Sequence, residues 1–365
     1  MSLGISVIIC CHNSADELPE TIRHLAAQQV SPSLPWEVLV IDNASTDTTA
    51  QVARSHWPEN APTPLRVIHE PKLGLINARY RALAEAKYEI LSFIDDDNWV
   101  CPNWVQTAAE VMEQHPQVGA CGGHNIPAFD GEKPWWFDLS PSSYAVGTQG
   151  PEEGGDITWS RGRLIGAGLT IRKTAWEKLV AEGFNSLLVG CKGKALNRGE
   201  DTELSFALVL AGWQLWYEPR MTLQHHLQPE RLHWSYLRRL ARNGGKATLG
   251  FDPYRFALQE RRSESQISFW WTIAGKSKPA GSRQTWYFQA LSVLRELLKQ
   301  PQKLFAALFQ TMEGDRDILG IEMRIGRLLE LLNNRSTYDT SVQTVRNGTW
   351  QHKHPNPIVK QHTPA

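Results

Sequence analysis

Several features are scarce or missing in this 365-residue chain, and each absence removes a class of protein. No GxGxxG follows the first apolar strand pattern and no GxxxxGK(S/T) occurs anywhere, which argues against a dinucleotide-dependent oxidoreductase and a P-loop nucleotide hydrolase. No apolar run approaches the roughly 20 residues that a bilayer-spanning helix needs. Charge of one sign is not in excess: Lys+Arg and Asp+Glu both total 38, so nothing global points to nucleic acid. The five cysteines (Cys10, Cys11, Cys101, Cys121, Cys191) are odd in number and show neither zinc spacing nor a disulfide framework. Met1-Ser2-Leu3-Gly4 leads straight into a strand pattern without a secretory signature. The expectation is a cytoplasmic protein with reduced thiols.

What is present is an alternation of strand and helix patterns. Ile5–Cys10, Trp36–Ile41, Leu65–Ile68 and Glu89–Ile94 are short, apolar and rich in β-branched residues, as buried strands are. Helical spacing occupies Ala15–Gln28 and Ile76–Ala86 between them. This order implies a parallel sheet with right-handed crossovers. Polar residues cluster after the strands, at Asn13, at Asp42–Asp47 and at Asp95–Asp97. In an open α/β sheet those turns share one edge, where ligands bind.

The third cluster is the most informative. Ile90-Leu91-Ser92-Phe93-Ile94 stops abruptly in Asp95-Asp96-Asp97. Adjacent carboxylates raise one another's pKa unless a cation or a donor sits among them. Clustered hard oxygens suit Mg²⁺ or Mn²⁺, with waters and phosphate completing the shell. The competing reading is an acidic turn that caps the next segment.

Ser6-Val7-Ile8-Ile9 with Asn13, then Val40-Ile41-Asp42-Asn43-Ala44-Ser45-Thr46-Asp47, then Gly74 with Ala78-Arg79, then Phe93-Ile94-Asp95-Asp96-Asp97 resemble the family 2 glycosyltransferases. The resemblance implies a GT-A type, Rossmann-like nucleotide-sugar-binding α/β domain. It implies that Asn13 and Asp42 lie at the donor, Asp42 on its base or ribose. Asp95-Asp96-Asp97 would be the DxD motif, with Asp95 near the ribose and Asp97 on a divalent metal, Mn²⁺ or Mg²⁺. Arg79 would lie near the base or diphosphate; a solvated helix arginine is the plain alternative. The family usually has an aromatic residue before the asparagine, where this chain has His12.

Further along, Val105–Glu113 reads as a helix and Val118–Gly123 as a strand. Pro134-Trp135-Trp136-Phe137 is either a loop anchor or a sugar-stacking platform, and the 15 tryptophans of the chain are compatible with both. Leu164–Lys173 reads as a strand with small residues where a ligand approaches closely, and the resemblance puts Gly168 beneath the donor sugar. Gly199-Glu200-Asp201 opens a helix whose N-terminus favours an ionised carboxylate. Simple acidic capping explains the same residues. The resemblance makes Asp201 the general base of an inverting transfer, with Glu200 beside the donor. After Trp216-Tyr217-Glu218-Pro219, it makes His225 a third metal ligand and puts Arg231 near the diphosphate.

From Trp234 the pattern turns helical, with Leu237, Leu240 and Ala241 on one side and Arg238, Arg239, Arg242 and Lys246 on another. That basic face is either solvated or laid on anionic lipid at the inner face of a membrane. A polar connector around Trp270-Trp271 follows, then helices over Trp286–Leu298, Gln302–Thr311 and Asp315–Leu332, and an aperiodic tail from Asn333 expected to be disordered. The division expected is residues 1–245 as the transferase domain, its donor half ending near 100, then a mostly helical extension over 246–332 and a tail over 333–365. The partners implied are a nucleotide-sugar donor and a glycan or lipid-linked acceptor, with no nucleic acid. Two rival readings are a sugar-phosphate nucleotidyltransferase, which lacks its basic glycine-rich loop here, and a non-catalytic glycan or nucleotide-sugar sensor.

Overall fold

A computed structural model describes residues 3–188, 199–267, 284–309 and 313–351. Cys191, the connector around Trp270-Trp271 and the end of the tail lie outside the described residues. The chain begins with β1 (Ile5–Cys11), α1 (Leu18–Ala26), β2 (Trp36–Asn43), α2 (Thr49–His56), β3 (Leu65–Glu70), α3 (Leu75–Glu85) and β4 (Ile90–Ile94). Next come β5 (Asn98–Val100), α4 (Trp104–Gln114), β6 (Val118–Phe129), β7 (Gly155–Asp156), β8 (Thr170–Arg172), α5 (Lys173–Ala181), α6 (Glu200–Leu210) and β9 (Gln214–Leu227). The C-terminal part holds α7 (Trp234–Ile267), α8 (Trp286–Leu298), α9 (Pro301–Phe309), α10 (Arg316–Asn333) and α11 (Tyr338–Arg346).

The strands form one sheet in the order β3-β2-β1-β4-β8-β6-β9-β5, with β7 paired to β9. The first four are parallel, as their sequence implies. Beyond them the sheet is mixed: β8 is antiparallel to both β4 and β6, whereas β6 and β9 are parallel. Strands β1, β2 and β4 are buried on both faces, which is why they are apolar at successive positions. Ile8, Leu39, Leu91 and Phe93 pack on the α3, α5 and α6 side. Ile5, Val7, Ile9, Val38 and Ile90 pack on the α1 and α4 side.

Three expectations need correction. The strand expected over 164–173 is extended only at Thr170–Arg172, because Gly168 turns the chain at φ +77°. The boundary at 245 falls inside α7, which crosses α10 at this point. Any side chain on Gly245 would overlap the Met323 carbonyl, and any on Gly326 the Arg242 carbonyl. The tail is not disordered up to residue 351: α11 buries Tyr338, Val342 and Val345, and Trp350 packs edge-on against Phe184.

The basic face of α7 is used inside the fold. Arg238 and Arg242 both grip Glu322, a buried carboxylate on α10. Leu237, Leu240 and Ala241 pack with Trp136 and Phe137. A face committed in this way does not lie on lipid through Arg238 and Arg242. No helix among the described residues is long and apolar enough to cross a membrane.

Candidate active site

The parallel register brings the ends of β1, β2, β3 and β4 to one edge, with Asp42 level with Cys11 on one side and His69 on the other. Two turns at that edge are tied together by Asn13, which sits at φ 55°. Its side-chain oxygen accepts the Thr46 N–H at 2.7 Å, and its own N–H donates to Ser45 Oγ at 3.0 Å. Asn13 therefore spends its side-chain oxygen on joining the two turns. Asp42 is buried, accepts the Ser45 N–H at 3.3 Å, and lies 3.4 Å from His69 Nδ1. Asn43, absent from the expected set, accepts the Gly74 N–H at 2.7 Å and donates to the Lys72 carbonyl at 2.8 Å.

The three aspartates have three different fates. Asp96 turns towards α1, where Ser14 Oγ donates to its carboxylate and Thr21 Oγ1 donates to its carbonyl at 2.7 Å. Burial and then the neighbouring Asp97 charge push it up to about 7. These contacts anchor Asp96 to the start of the chain's first helical segment. Asp95 makes no carboxylate hydrogen bond among the described residues. Burial and then Asp97 raise its pKa, against the pull of Arg79 and His225.

Asp97 is the organised one. Asn98 Nδ2 donates to its Oδ1 at 2.9 Å; Arg231 Nη1 donates to its Oδ2 at 3.1 Å, and His225 Nε2 lies 3.4 Å from Oδ2. Burial opposes its ionisation, but His225 and Arg231 together hold it below the ordinary carboxylate range. The pairing of Asn98 with His225 between β5 and β9 places these groups. Of the adjacent histidines, His226 is spent elsewhere, 2.9 Å from Glu17 and 2.8 Å from Asp130.

Asp97 Oδ2 and His225 Nε2 converge, and His225 Nδ1 is buried without a partner among the described residues. A carboxylate with an imidazole is a donor set that suits Mn²⁺. No group of three or more His, Cys, Asp or Glu side chains closes around one point among the described residues. The residues present therefore fit a metal held by few protein ligands, with positions left for waters and phosphate oxygens. Arg231 Nη1, 3.5 Å from His225 Nε2, already supplies positive charge there.

Asp201 lies in the first turn of α6, where free backbone amides stabilise negative charge. Its Oδ2 accepts the Gly166 N–H at 2.8 Å, and its Oδ1 accepts the Thr202 N–H at 2.7 Å. Sequence reading named Gly168 as the close-approach glycine. That position faces the core instead, since a side chain there would overlap Trp104 and Leu223. Gly166 is the one at the site: a methyl group on it would sit 3.2 Å from Asp201 Oδ2 and 3.5 Å from Arg79 Nη2. Arg79 is buried, with its guanidinium 5.6 Å from the Phe93 ring centroid. Burial works against its charge, yet Glu200, Cys10, Asp95 and Asp201 together raise its pKa, so it is no solvated helix arginine. Glu200 is buried, with Oε2 unpartnered among the described residues, and burial raises its pKa while Arg79 opposes the rise.

The aromatic loop divides between its two readings. Trp136 and Phe137 are buried anchors, and Trp136 Nε1 donates to Glu313. Trp135 is 72% exposed.

The chain is 27% identical over 148 residues to glycosyltransferase GlyG of Streptococcus pneumoniae, covering 40% of this chain and 47% of that protein. It is 29% identical over 109 residues to the succinoglycan biosynthesis protein ExoM of Rhizobium meliloti, covering 30% of this chain and 35% of that protein. These matches span a third to a half of the relatives' own length. The mannosyltransferase PcManGT of Pyrobaculum calidifontis, solved with GDP-Man and Mn²⁺, superimposes with a TM-score of 0.52 at 17% identity, covering 95% of this chain and 86% of that one. At that identity the likeness shows the fold, which is GT-A. The model of the glycosyl transferase family 2 matches residues 6–175, the span that carries Asp42, Arg79, the Asp95–Asp97 cluster and Gly166. Residues 6–175 of this chain belong to glycosyl transferase family 2.

Proposed function

We propose that this protein moves a sugar from a nucleotide diphosphate sugar to an acceptor hydroxyl, with inversion and with help from a divalent metal. The observation that carries this reading is Asp201, a carboxylate fixed by two backbone N–H groups close to Arg79. It takes the proton of the acceptor O–H as that oxygen attacks the anomeric carbon. The bond from the anomeric carbon to the diphosphate oxygen breaks, and the nucleoside diphosphate departs with the electron pair. Asp97 and His225, with Asp95 alongside, would hold the metal, and bound metal would offset charge on the diphosphate. Arg231 and Arg79 add fixed positive charge beside the leaving group. Asp42, buried at the end of β2, receives the base or ribose. The relatives' names support a role in polysaccharide or cell-surface glycan synthesis.

The test is a thermal-shift screen of UDP-, GDP- and dTDP-sugars with and without Mn²⁺, followed by donor turnover. A metal-dependent rise in melting temperature with one nucleotide, and release of that nucleotide on turnover, is the expected result. Binding without any sugar release, to acceptor or to water, would make the protein a sensor.

A further inference from the structure

The start of α1 takes hold of both chain segments that bring Asp97 and His225 together. Glu17, immediately before α1, uses both carboxylate oxygens on β9: Oε2 lies 2.9 Å from His226 Nδ1, and Oε1 accepts from Gln228 Nε2. His226 is buried, and its other ring nitrogen lies 2.8 Å from Asp130 Oδ2, just beyond β6. The His226 ring stacks on Trp99 of β5 at 5.1 Å, and Trp99 stacks in turn on His24 of α1 at 6.1 Å. The His226 backbone N–H donates to the Asp97 carbonyl at 2.9 Å. Ser14 and Thr21, on either side of Glu17, hold the acidic turn through the Asp96 carboxylate and carbonyl.

The proposed transfer gives Glu17 and His226 no chemical task, yet their link decides where His225 points. Successive side chains on a strand lie on opposite faces, so a ring fixed at 226 aims 225 the other way, towards Asp97. The β5–β9 register ends at the pair Asn98–His225, and Glu17 takes over from there with the next side chains of β9. A site with few protein ligands depends on their being in place before the cation arrives. A strand end free to move would lose that freedom on binding, and affinity would fall. Groups behind a ligand that fix its direction therefore act on the metal without touching it.

We propose that Glu17 is a positioning residue of the metal site: through His226 it holds His225 against Asp97, and so sets the affinity for the divalent cation. This rests on the transferase reading, which makes Asp97 and His225 the metal ligands. Two measurements on the full chain test it. In the first, ¹³C-labelled histidine reports the His225 ring in the unliganded protein, its signal assigned by its loss in His225→Gln. Glu17→Ala should move that signal, Glu17→Gln should leave it near its original place, and Asp16→Ala, at the exposed neighbour, should not move it. In the second, UDP and GDP are titrated with Mn²⁺ and with chelator. Glu17→Ala should lower the Mn²⁺-dependent gain in affinity about tenfold and leave the affinity in chelator unchanged, whereas general loosening of the fold would lower both. His226→Phe keeps a ring on Trp99 and breaks the same link, so it should act alike, and adding Glu17→Ala to it should change the gain little further. Melting temperatures check that the variants fold, and His226→Phe carries the test if Glu17→Ala does not. An unmoved His225 signal, a full Mn²⁺ gain in Glu17→Ala, or additive effects of the two substitutions would overturn the proposal. If the unmodified chain shows no Mn²⁺-dependent binding of either nucleotide, the transferase reading fails, and the His225 signal alone decides whether Glu17 positions that ring.

Discussion

Asp97 and Asp201 are two carboxylates of one site neutralised in two ways. Asp97 is compensated by side chains, the guanidinium of Arg231 and the imidazole of His225. Asp201 is compensated by backbone, the N–H groups of Gly166 and Thr202 at a helix N-terminus. Side-chain cations can move aside or share a carboxylate with an incoming metal. Backbone amides cannot, so they hold an oxygen in one place without donating a competing full charge. The first arrangement suits a site whose charge load changes as a diphosphate arrives and leaves; the second suits a base that must stay ionised and aimed.

That contrast can be broken in steps. The largest effect is expected from Asp201→Asn, which keeps the shape and removes the base. Transfer should fall by about 10³-fold or more while nucleotide binding changes little, measured by product formation beside calorimetry. Unchanged turnover would take Asp201 out of the mechanism. Glu322 is neutralised like Asp97, by two guanidiniums, but lies far along the chain in α10 without a chemical task. Glu322→Ala should lower stability by about 3 kcal/mol in urea unfolding and leave nucleotide affinity alone, because it strands partly buried cations. Asp97→Asn should cost roughly a hundredfold in metal-dependent nucleotide affinity, read as the difference between titrations with Mn²⁺ and with chelator. If the variant keeps the full difference between Mn²⁺ and chelator seen in the unmodified protein, Asp97 is not a metal ligand. The smallest effect belongs to Gly166→Ala. Its methyl crowds Asp201 Oδ2, and kcat should drop about tenfold without a matching change in nucleotide affinity.

The site was legible where chemistry is local in the chain. Asp95–Asp97 interrupts an apolar run, and Glu200-Asp201 begins a helix, so both stand out without a structure. Which aspartate does what was not legible, because the partners that separate them come from afar: Ser14 claims Asp96, while Arg231 and His225 claim Asp97. The same holds for glycine. Gly166 and Gly168 are two residues apart, and only the packing of Trp104 and Leu223 shows which faces the core. Helix α2 was missed because it buries only Thr49 and Ala53, too few apolar residues to mark a period. Helix α11 was missed because Tyr338, Val342 and Val345 are diluted by Asp, Thr, Ser and Gln.

The sequence by itself determined the first four strands, the acidic turns after β2 and β4 and the helices α8, α9 and α10, since burial in the sheet and helical periodicity are written into consecutive residues. Only the tertiary structure decided that β8 runs antiparallel between β4 and β6, that Arg238 and Arg242 serve Glu322, and that Arg231 and His225 meet at Asp97. Strand pairing and charge pairing depend on which distant residues meet, and that is a property of the fold's register and packing, which no local pattern carries.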